Sequence, residues 1–167
     1  MIVFTIGTSE PFDRLVSVAD AVAEACDDEV LVQGGRSECR FTHARLVDFL
    51  PYEELLAVIA HARIVVTHAG VGSILLALGQ KRSPIVVPRR KQFGEAVDDH
   101  QLIFGRRLHE LGLVHLVEEP SDLPQVLASI PELPSGRGDV GGTLAQALRS
   151  HLAQRVGPAG GTSLRVS

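Results

Sequence analysis

Short runs of apolar, mostly β-branched residues recur along the chain, each about one strand long. An unbroken apolar run of this length is typical of a strand that is covered on both faces, as in a parallel sheet. The runs occupy residues 2–6, 30–32, 46–49, 64–67, 85–87 and 114–117. They predict about six separate strands.

Helical patterns lie between these runs. In the clearest one, apolar residues three and four positions apart share one helix face; they are Phe12, Leu15, Ala19, Val22 and Cys26. Further helices are predicted from Pro51 and over residues 70–78. A fourth carries Val97, Phe104, Leu108 and Leu111, and Gly112 is well placed to end it. Alternating strands and helices indicate an α/β fold, a single Rossmann-like domain with a parallel sheet and helices on both faces.

The pattern changes near residue 131, which divides the chain into three predicted parts. Residues 1–130 form the Rossmann-like domain. Residues 131–156 are rich in proline and glycine, which favours an extension, and they include a short helix around Leu144 to Leu152. Residues 157–167 are rich in glycine and serine, and we expect them to be disordered.

Composition narrows the function. A chain of 167 residues with a net charge of -4 lacks the overall basic character of a nucleic-acid-binding protein. Two cysteines, Cys26 and Cys39, are too few for a disulfide framework and are expected to be reduced thiols. No window reaches the ~20 apolar residues of a transmembrane helix, and no signal peptide is evident. We therefore expect any membrane association to come through a partner or a surface patch.

In a doubly wound sheet, ligands bind beyond the carboxyl ends of the strands. The first such segment is Gly7-Thr8-Ser9. Glycine permits close approach of a ligand, and Ser9 could cap the helix that follows. The alternative is an ordinary strand-to-helix turn, and this segment alone does not decide between them.

The segment after the fourth strand, His68-Ala69-Gly70-Val71-Gly72-Ser73, is the most informative. Free N–H groups at a glycine-rich helix start, together with the helix dipole, favour a phosphate. His68 and the Ser73 hydroxyl can add hydrogen bonds. The spacing differs from an ATPase P-loop and from a dinucleotide fingerprint. We interpret this segment as an anion site. The alternative is a tight turn in which His68 makes its hydrogen bonds within the protein.

Polar residues also follow the fifth strand. Asp98, Asp99, His100 and Gln101 suit the hydroxyl groups of a sugar, which both donate and accept hydrogen bonds. The alternative is that the two aspartates simply favour a helix start. The basic run 89–91 could offset a diphosphate, but we interpret it as a solvated charge run or a partner contact.

Other chemistries receive no support. Five of the seven histidines, at positions 61, 68, 100, 109 and 115, could suggest a metal site, but they lack the ligand spacing of one. No nucleophile elbow or catalytic-cysteine context is present, which argues against a hydrolase.

These segments, in this order, resemble the C-terminal, donor-binding domain of family-28 glycosyltransferases. Within that family they resemble the soluble subunits of two-part transferases that act on lipid-linked saccharides. The resemblance covers residues 1–130 and rests on residues 3–8, 11–15, 49–51, 67–73 and 86–101. It implies half of a GT-B fold.

The resemblance also implies roles by position. Phe49 and Leu50 match the turn that meets the nucleoside base of UDP. His68 and the segment Gly70, Val71, Gly72 and Ser73 match the diphosphate-binding turn. Asp99, His100 and Gln101 match the segment that meets the donor sugar, and Gly7 and Thr8 match the cleft loop.

One departure concerns the helix after the glycine-rich turn. Many relatives carry an acidic residue there that can hold the ribose hydroxyls, whereas the corresponding position here is Leu76. The departure leaves open an altered donor or a weakly active copy.

The implied activity is transfer of a hexose or N-acetylhexosamine from a UDP-sugar to a lipid-linked saccharide, with inversion and without a metal or another cofactor. A GT-B enzyme needs a second domain, so the resemblance implies a membrane-anchored, acceptor-binding partner that supplies the general base. It also implies a cytoplasmic position at the inner face of the membrane. The alternatives are a non-catalytic nucleotide-binding or scaffold subunit and, less well matched in length, an epimerase of UDP-sugars.

Overall fold

The structure is a computed structural model that describes residues 1–7, 10–129, 142 and 144–149. Within these residues the sheet has six strands: β1 (Ile2–Thr5), β2 (Val30–Gln33), β3 (Arg45–Val47), β4 (Ile64–His68), β5 (Ile85–Val87) and β6 (His115–Leu116). The α-helices are α1 (Asp13–Ala25), α2 (Tyr52–His61), α3 (Val71–Gly79), α4 (His100–Glu110) and α5 (Leu123–Ser129).

Every strand pairs in parallel with its neighbours, in the order β3-β2-β1-β4-β5-β6. The four inner strands are buried along their whole length, which explains their unbroken apolar runs. This is the doubly wound order, in which the connections turn outward in opposite directions from β1 and β4. The predicted α/β class and parallel sheet are confirmed.

Helices cover both faces of the sheet. On one face α1 and α5 pack against alternate strand residues such as Ile2 and Phe4. On the other face α2 and α3 pack around Val3 and Val65. There α3 and α4 also pack against Val86.

One prediction about a helix is wrong in part. Val97, predicted to belong to the fourth helix, precedes it, because residues 91–99 form a 3-10 turn and a series of bends that pass through Gly94 with φ 72°; the helix begins at His100, within the polar segment predicted to lie near its start. Val97 is 90% exposed. The N-cap of α1 is Phe12; Ser9, suggested as a cap for this helix, lies outside the described residues.

Other boundaries shift slightly. The third strand ends at Val47, so Phe49 and Leu50 lie in the following turn. Gly112, with φ 69°, directly follows the end of α4, as predicted. Residues 144–149 are helical, and Leu144 and Ala147 are buried against α3 and α4. The rest of the predicted extension and the tail at 157–167 lie outside the described residues, so the predicted domain boundaries stay predictions.

Candidate functional site

The candidate site lies where β1 and β4 run side by side. The chain leaves these two strands toward opposite sides of the sheet, and in doubly wound folds this divergence opens a crevice beyond the carboxyl ends of the strands. Gly7 follows β1, and His68 is the last residue of β4. The topology therefore brings together two of the segments that the sequence singled out.

The imidazole of His68 packs between Gly7 and Gly70. A Cβ atom added at Gly70 would lie 2.2 Å from His68 Nε2, and one added at Gly7 would lie 2.9 Å from His68 Cε1. Gly7 also has φ 77°, a conformation that side chains with a Cβ rarely adopt. Both glycines are therefore needed for the ring to occupy this position.

Burial sets the charge of His68. The residue is 9% exposed, and its Nδ1 has no hydrogen-bond partner among the described residues. Burial, with a smaller contribution from the nearby charge of Arg89, lowers the pKa of His68 to about 4. The imidazole is therefore neutral near pH 7, with one nitrogen that can donate a hydrogen bond and another that can accept one.

The start of α3 adjoins this ring. Gly70 is the N-cap and makes no side-chain capping bond. The backbone N–H groups of Val71, Gly72 and Ser73 lie in the first turn, where a helix supplies no internal acceptor. With the positive end of the helix dipole, these groups suit an anion.

Arg89 lies under the first loop. It is 5% exposed, and its Nη2 donates to the carbonyl oxygens of Ile6, at 3.1 Å, and of Glu10. Its guanidinium carbon is 5.2 Å from the centre of the Phe12 ring. The interpretation of residue 89 as part of a solvated charge run is therefore wrong, because the guanidinium satisfies backbone oxygens inside the fold. It still adds positive charge near His68.

The other two cations of that run differ from Arg89. Arg90 is partly buried, with Nη1 3.7 Å from Glu118 and 3.8 Å from Glu119. Lys91 is exposed. Of the three, it is the residue that best fits a surface partner contact.

The predicted sugar-contact residues lie at the start of α4. Asp99 is the N-cap, and its Oδ1 accepts a hydrogen bond from Lys91 N at 2.9 Å. His100 contacts the carboxylate of Asp98. Gln101 is buried, and its Oε1 accepts a hydrogen bond from Arg89 N at 3.1 Å. Gln101 thus has a structural role here, and sugar contact by these residues stays a prediction.

The predicted nucleoside residues lie at the same edge of the sheet but farther along it. Phe49 follows β3, the outermost strand, and its side chain is 64% exposed. Tyr52, at the start of α2, is also exposed. Leu50 lies between them and is half-buried. An exposed aromatic ring in such a turn can contact the face of a base.

Two further positions bear on the site. Leu76 is partly buried and packs with Ile59 and Val65 at the seam of α2 and α3, so its apolar character serves this packing. Thr8 lies outside the described residues. In the part of the chain that the structure describes, no group of three or more histidine, cysteine or acidic residues could hold a metal. A metal-free reaction stays a prediction.

Together, fold and site define a doubly wound α/β domain with a glycine-rich helix start, free of side-chain caps, at its switch point. The chain belongs to glycosyltransferase family 28, whose C-terminal domain matches residues 1–134. This confirms the family that the sequence resembles.

Individual proteins agree with this assignment. The UDP-N-acetylglucosamine transferase subunit ALG13 of Eremothecium gossypii is 31% identical over 131 residues, which are 78% of this chain and 62% of that protein. The chain thus spans less than two thirds of this curated relative.

Solved structures show the fold. The NMR structure of ALG13 has a TM-score of 0.62 at 18% identity and covers 90% of this chain and 96% of that one. The glycosyltransferase SnogD from Streptomyces nogalater has a TM-score of 0.58 at 18% identity, over 93% of this chain and 39% of that one. The likeness to SnogD confirms a GT-B type domain and places this chain on about two fifths of that enzyme.

Proposed function

We propose that the chain is the UDP-sugar-binding subunit of an inverting glycosyltransferase. The observation that carries the proposal is the neutral, buried ring of His68, held between two glycines beside the free N–H groups of α3. This arrangement suits a diphosphate better than an uncharged ligand. The match to family 28 and the similarity to a UDP-N-acetylglucosamine transferase subunit support the same reading.

The chemistry expected of this chain is stabilisation of the leaving group. When the bond from sugar to diphosphate breaks, negative charge grows on the phosphate oxygens. The helix already orients the N–H groups of residues 71–73, so little reorganisation is needed as the charge develops. His68 can add a hydrogen bond through its neutral imidazole. Arg89 adds positive potential from behind the first loop. No step of this mechanism uses a metal or another cofactor.

The acceptor side belongs to a second protein in this proposal. We infer a membrane-anchored partner that binds a lipid-linked saccharide and supplies the general base, with this chain held at the inner, cytoplasmic face of the membrane. The context would be cell-surface polysaccharide synthesis. Among the described residues, no helix has both the length and the apolar character to cross a bilayer. Lys91, which is exposed, is a candidate contact for the partner.

A second candidate is a non-catalytic nucleotide-binding or scaffold subunit. It is favoured by Leu76, which packs into the seam of α2 and α3 where the resemblance leads us to expect a carboxylate for the ribose. Sugar transfer in the presence of partner membranes separates the two candidates, because a scaffold subunit would bind nucleotide without raising transfer.

The diphosphate site can be tested by calorimetry with UDP, UMP and uridine. We expect UDP to bind most tightly, and His68→Ala to weaken UDP by ~1–3 kcal/mol while changing uridine far less. His61→Ala, at an exposed position on α2, is the matched control and should bind UDP like the wild type. Equal affinity of the wild type for UDP and uridine would refute the diphosphate site.

Catalysis requires a second experiment. Transfer of radiolabelled sugar to a lipid-linked acceptor is measured with the purified chain, with membranes that contain the partner, and with both. We expect transfer only when both are present. Efficient transfer by the chain alone would contradict the proposed division between two subunits.

A further inference from the structure

Arg14, near the start of α1, joins two parts of the fold that are far apart in sequence. Its Nε donates to Glu95 Oε1 at 2.8 Å, and its Nη2 donates to Glu95 Oε2 at 3.0 Å. Nη2 also donates to Pro88 O at 3.2 Å, and Nη1 donates to Glu119 Oε2 at 3.3 Å. A two-pronged bond between arginine and a carboxylate fixes orientation as well as distance.

Aromatic rings complete the surroundings of this arginine. Its guanidinium carbon is 4.5 Å from the centre of the Phe93 ring and 5.5 Å from that of Phe12. Arg89 approaches the Phe12 ring as well, at 5.2 Å. Phe93, Arg14, Phe12 and Arg89 thus form one series of cation–π contacts. The series connects the segment after β5 with the end of the first loop.

Arg14 contacts the segment 91–99 through Glu95. The segment contains a single 3-10 turn followed by bends, and most of its residues are exposed. The side chain of Glu95 is only 10% exposed. Besides Arg14, it binds Arg90 N through Oε2 at 2.9 Å. Glu95 is therefore the point at which Arg14 holds the segment in its folded shape.

This segment forms one side of an open cleft. The cleft has a volume of about 330 Å³ and is lined by Glu10 and Pro11 from one side and by residues 94–97 from the other. The same segment ends at Asp99, the residue predicted to contact the donor sugar. A displacement of residues 94–97 would therefore change both the cleft and the position of that carboxylate.

We propose that Arg14 is a positioning residue for the donor sugar: through Glu95 it fixes residues 91–99, and hence Asp99, at the rim of the nucleotide site. The inference rests on the proposed function, because it takes a UDP-sugar as the ligand. The diphosphate site is built by other elements, β1, β4 and α3. Loss of the Arg14–Glu95 pair should therefore affect recognition of the sugar and leave recognition of UDP largely intact.

The test compares the affinity for UDP with that for UDP-N-acetylglucosamine, UDP-glucose and UDP-galactose in wild type, Arg14→Gln, Arg14→Lys and Glu95→Gln. Arg63→Gln is the matched control. It breaks another partly buried arginine–carboxylate pair, with Asp28, which lies at the opposite edge of the sheet. Amide hydrogen exchange of residues 90–99 in the free proteins reports the order of the segment.

We expect Arg14→Gln and Glu95→Gln to weaken the best-bound UDP-sugar about tenfold relative to UDP, as for one lost hydrogen bond to a charged group. Arg14→Lys should show a smaller loss, because lysine keeps the charge without the planar fork. Exchange at residues 90–99 should rise in Arg14→Gln and stay at the wild-type level in Arg63→Gln.

The results separate the two proposals. A wild-type chain that binds neither UDP nor any of the three UDP-sugars overturns the proposed function together with this inference. A wild-type chain that binds UDP overturns this inference alone if Arg14→Gln leaves the ratio of the two affinities unchanged, or lowers both equally. Unchanged hydrogen exchange at residues 90–99 in Arg14→Gln also overturns it.

Discussion

Because His68 is neutral in the folded protein, the free energy of unfolding depends on pH. A substitution of His68 should remove this part of the dependence. Burial lowers the pKa of this imidazole from 6.5 to about 4. Between these two values the unfolded chain binds a proton at this position and the folded chain does not, so protons favour unfolding. The contribution of His68 to the free energy of unfolding is therefore fully present above about pH 6.5 and is lost progressively as the pH falls toward 4.

The size of the effect follows from the two pKa values. Linkage gives a loss of roughly 2 kcal/mol in the free energy of unfolding between pH 7 and pH 4.5 that is due to His68 alone. In His68→Gln this component is absent. We therefore expect the variant to lose roughly 2 kcal/mol less than the wild type over the same interval. Urea unfolding at the two pH values measures both losses.

Other groups, such as Asp28, titrate in both proteins. Their contributions to the loss of free energy therefore cancel when the variant is compared with the wild type. His61→Gln, at an exposed position, is the matched control for the loss of a histidine. If His68→Gln and the wild type lose the same free energy between pH 7 and pH 4.5, the ring is not desolvated as described. An NMR titration of the imidazole provides a direct check, with an expected midpoint near pH 4.

Other substitutions test further contacts. Gly70→Ala should lower the free energy of unfolding by roughly 1–3 kcal/mol, because its Cβ would lie 2.2 Å from the imidazole of His68. The control Gly72→Ala, whose Cβ would meet open space among the described residues, should change it by less than ~1 kcal/mol. Equal effects of the two substitutions in urea unfolding would contradict this interpretation. Asp28→Asn should lower the free energy of unfolding by roughly 1–3 kcal/mol at pH 7, because the arginine and N-terminal partners of Asp28 lower the pKa of this carboxyl. The loss should become smaller as the pH falls through that lowered pKa. A loss that does not change with pH would argue against the ion pair. Gln101→Ala should cost about 1–3 kcal/mol in urea unfolding, since a buried N–H loses its acceptor. Asp99→Ala should cost less stability than Gln101→Ala, because the Asp99 side chain is exposed, and it should weaken a UDP-sugar more than UDP in calorimetry. A larger loss of stability in Asp99→Ala, with equal losses of UDP and UDP-sugar affinity, would contradict these roles.

Much of the fold could be predicted because its signals are local. The inner strands are buried on both faces, so each appears in the sequence as an unbroken apolar run. Helix α1 shows its buried face at intervals of three and four residues. His68 and two glycines directly after a strand indicate the start of α3. These features need only neighbouring residues to be recognised.

The features that sequence reasoning missed depend on distant contacts. Arg89 belongs to a run of three cations, a pattern typical of exposed residues. Its burial becomes evident only from its hydrogen bonds to the carbonyl oxygens of Ile6 and Glu10. Arg14 and Glu95 meet across 81 positions, and no local pattern predicts such a pair. Val97 continues the apolar spacing of α4, but the turn through Gly94 keeps it out of the helix.

The order of strands in the sheet has a consequence for how the protein comes into being. β1 is synthesised first, yet its neighbour β4 begins at Ile64, and Thr67 Oγ1 donates to Thr5 O 62 positions away. Until β4 emerges from the ribosome, one edge of β1 stays open and the ring of His68 is not yet available to pack against Gly7. Long-range closure of this kind is a slow step in folding. Binding of UDP, the ligand of the proposed function, by a nascent chain would therefore report that the two halves of the sheet have joined.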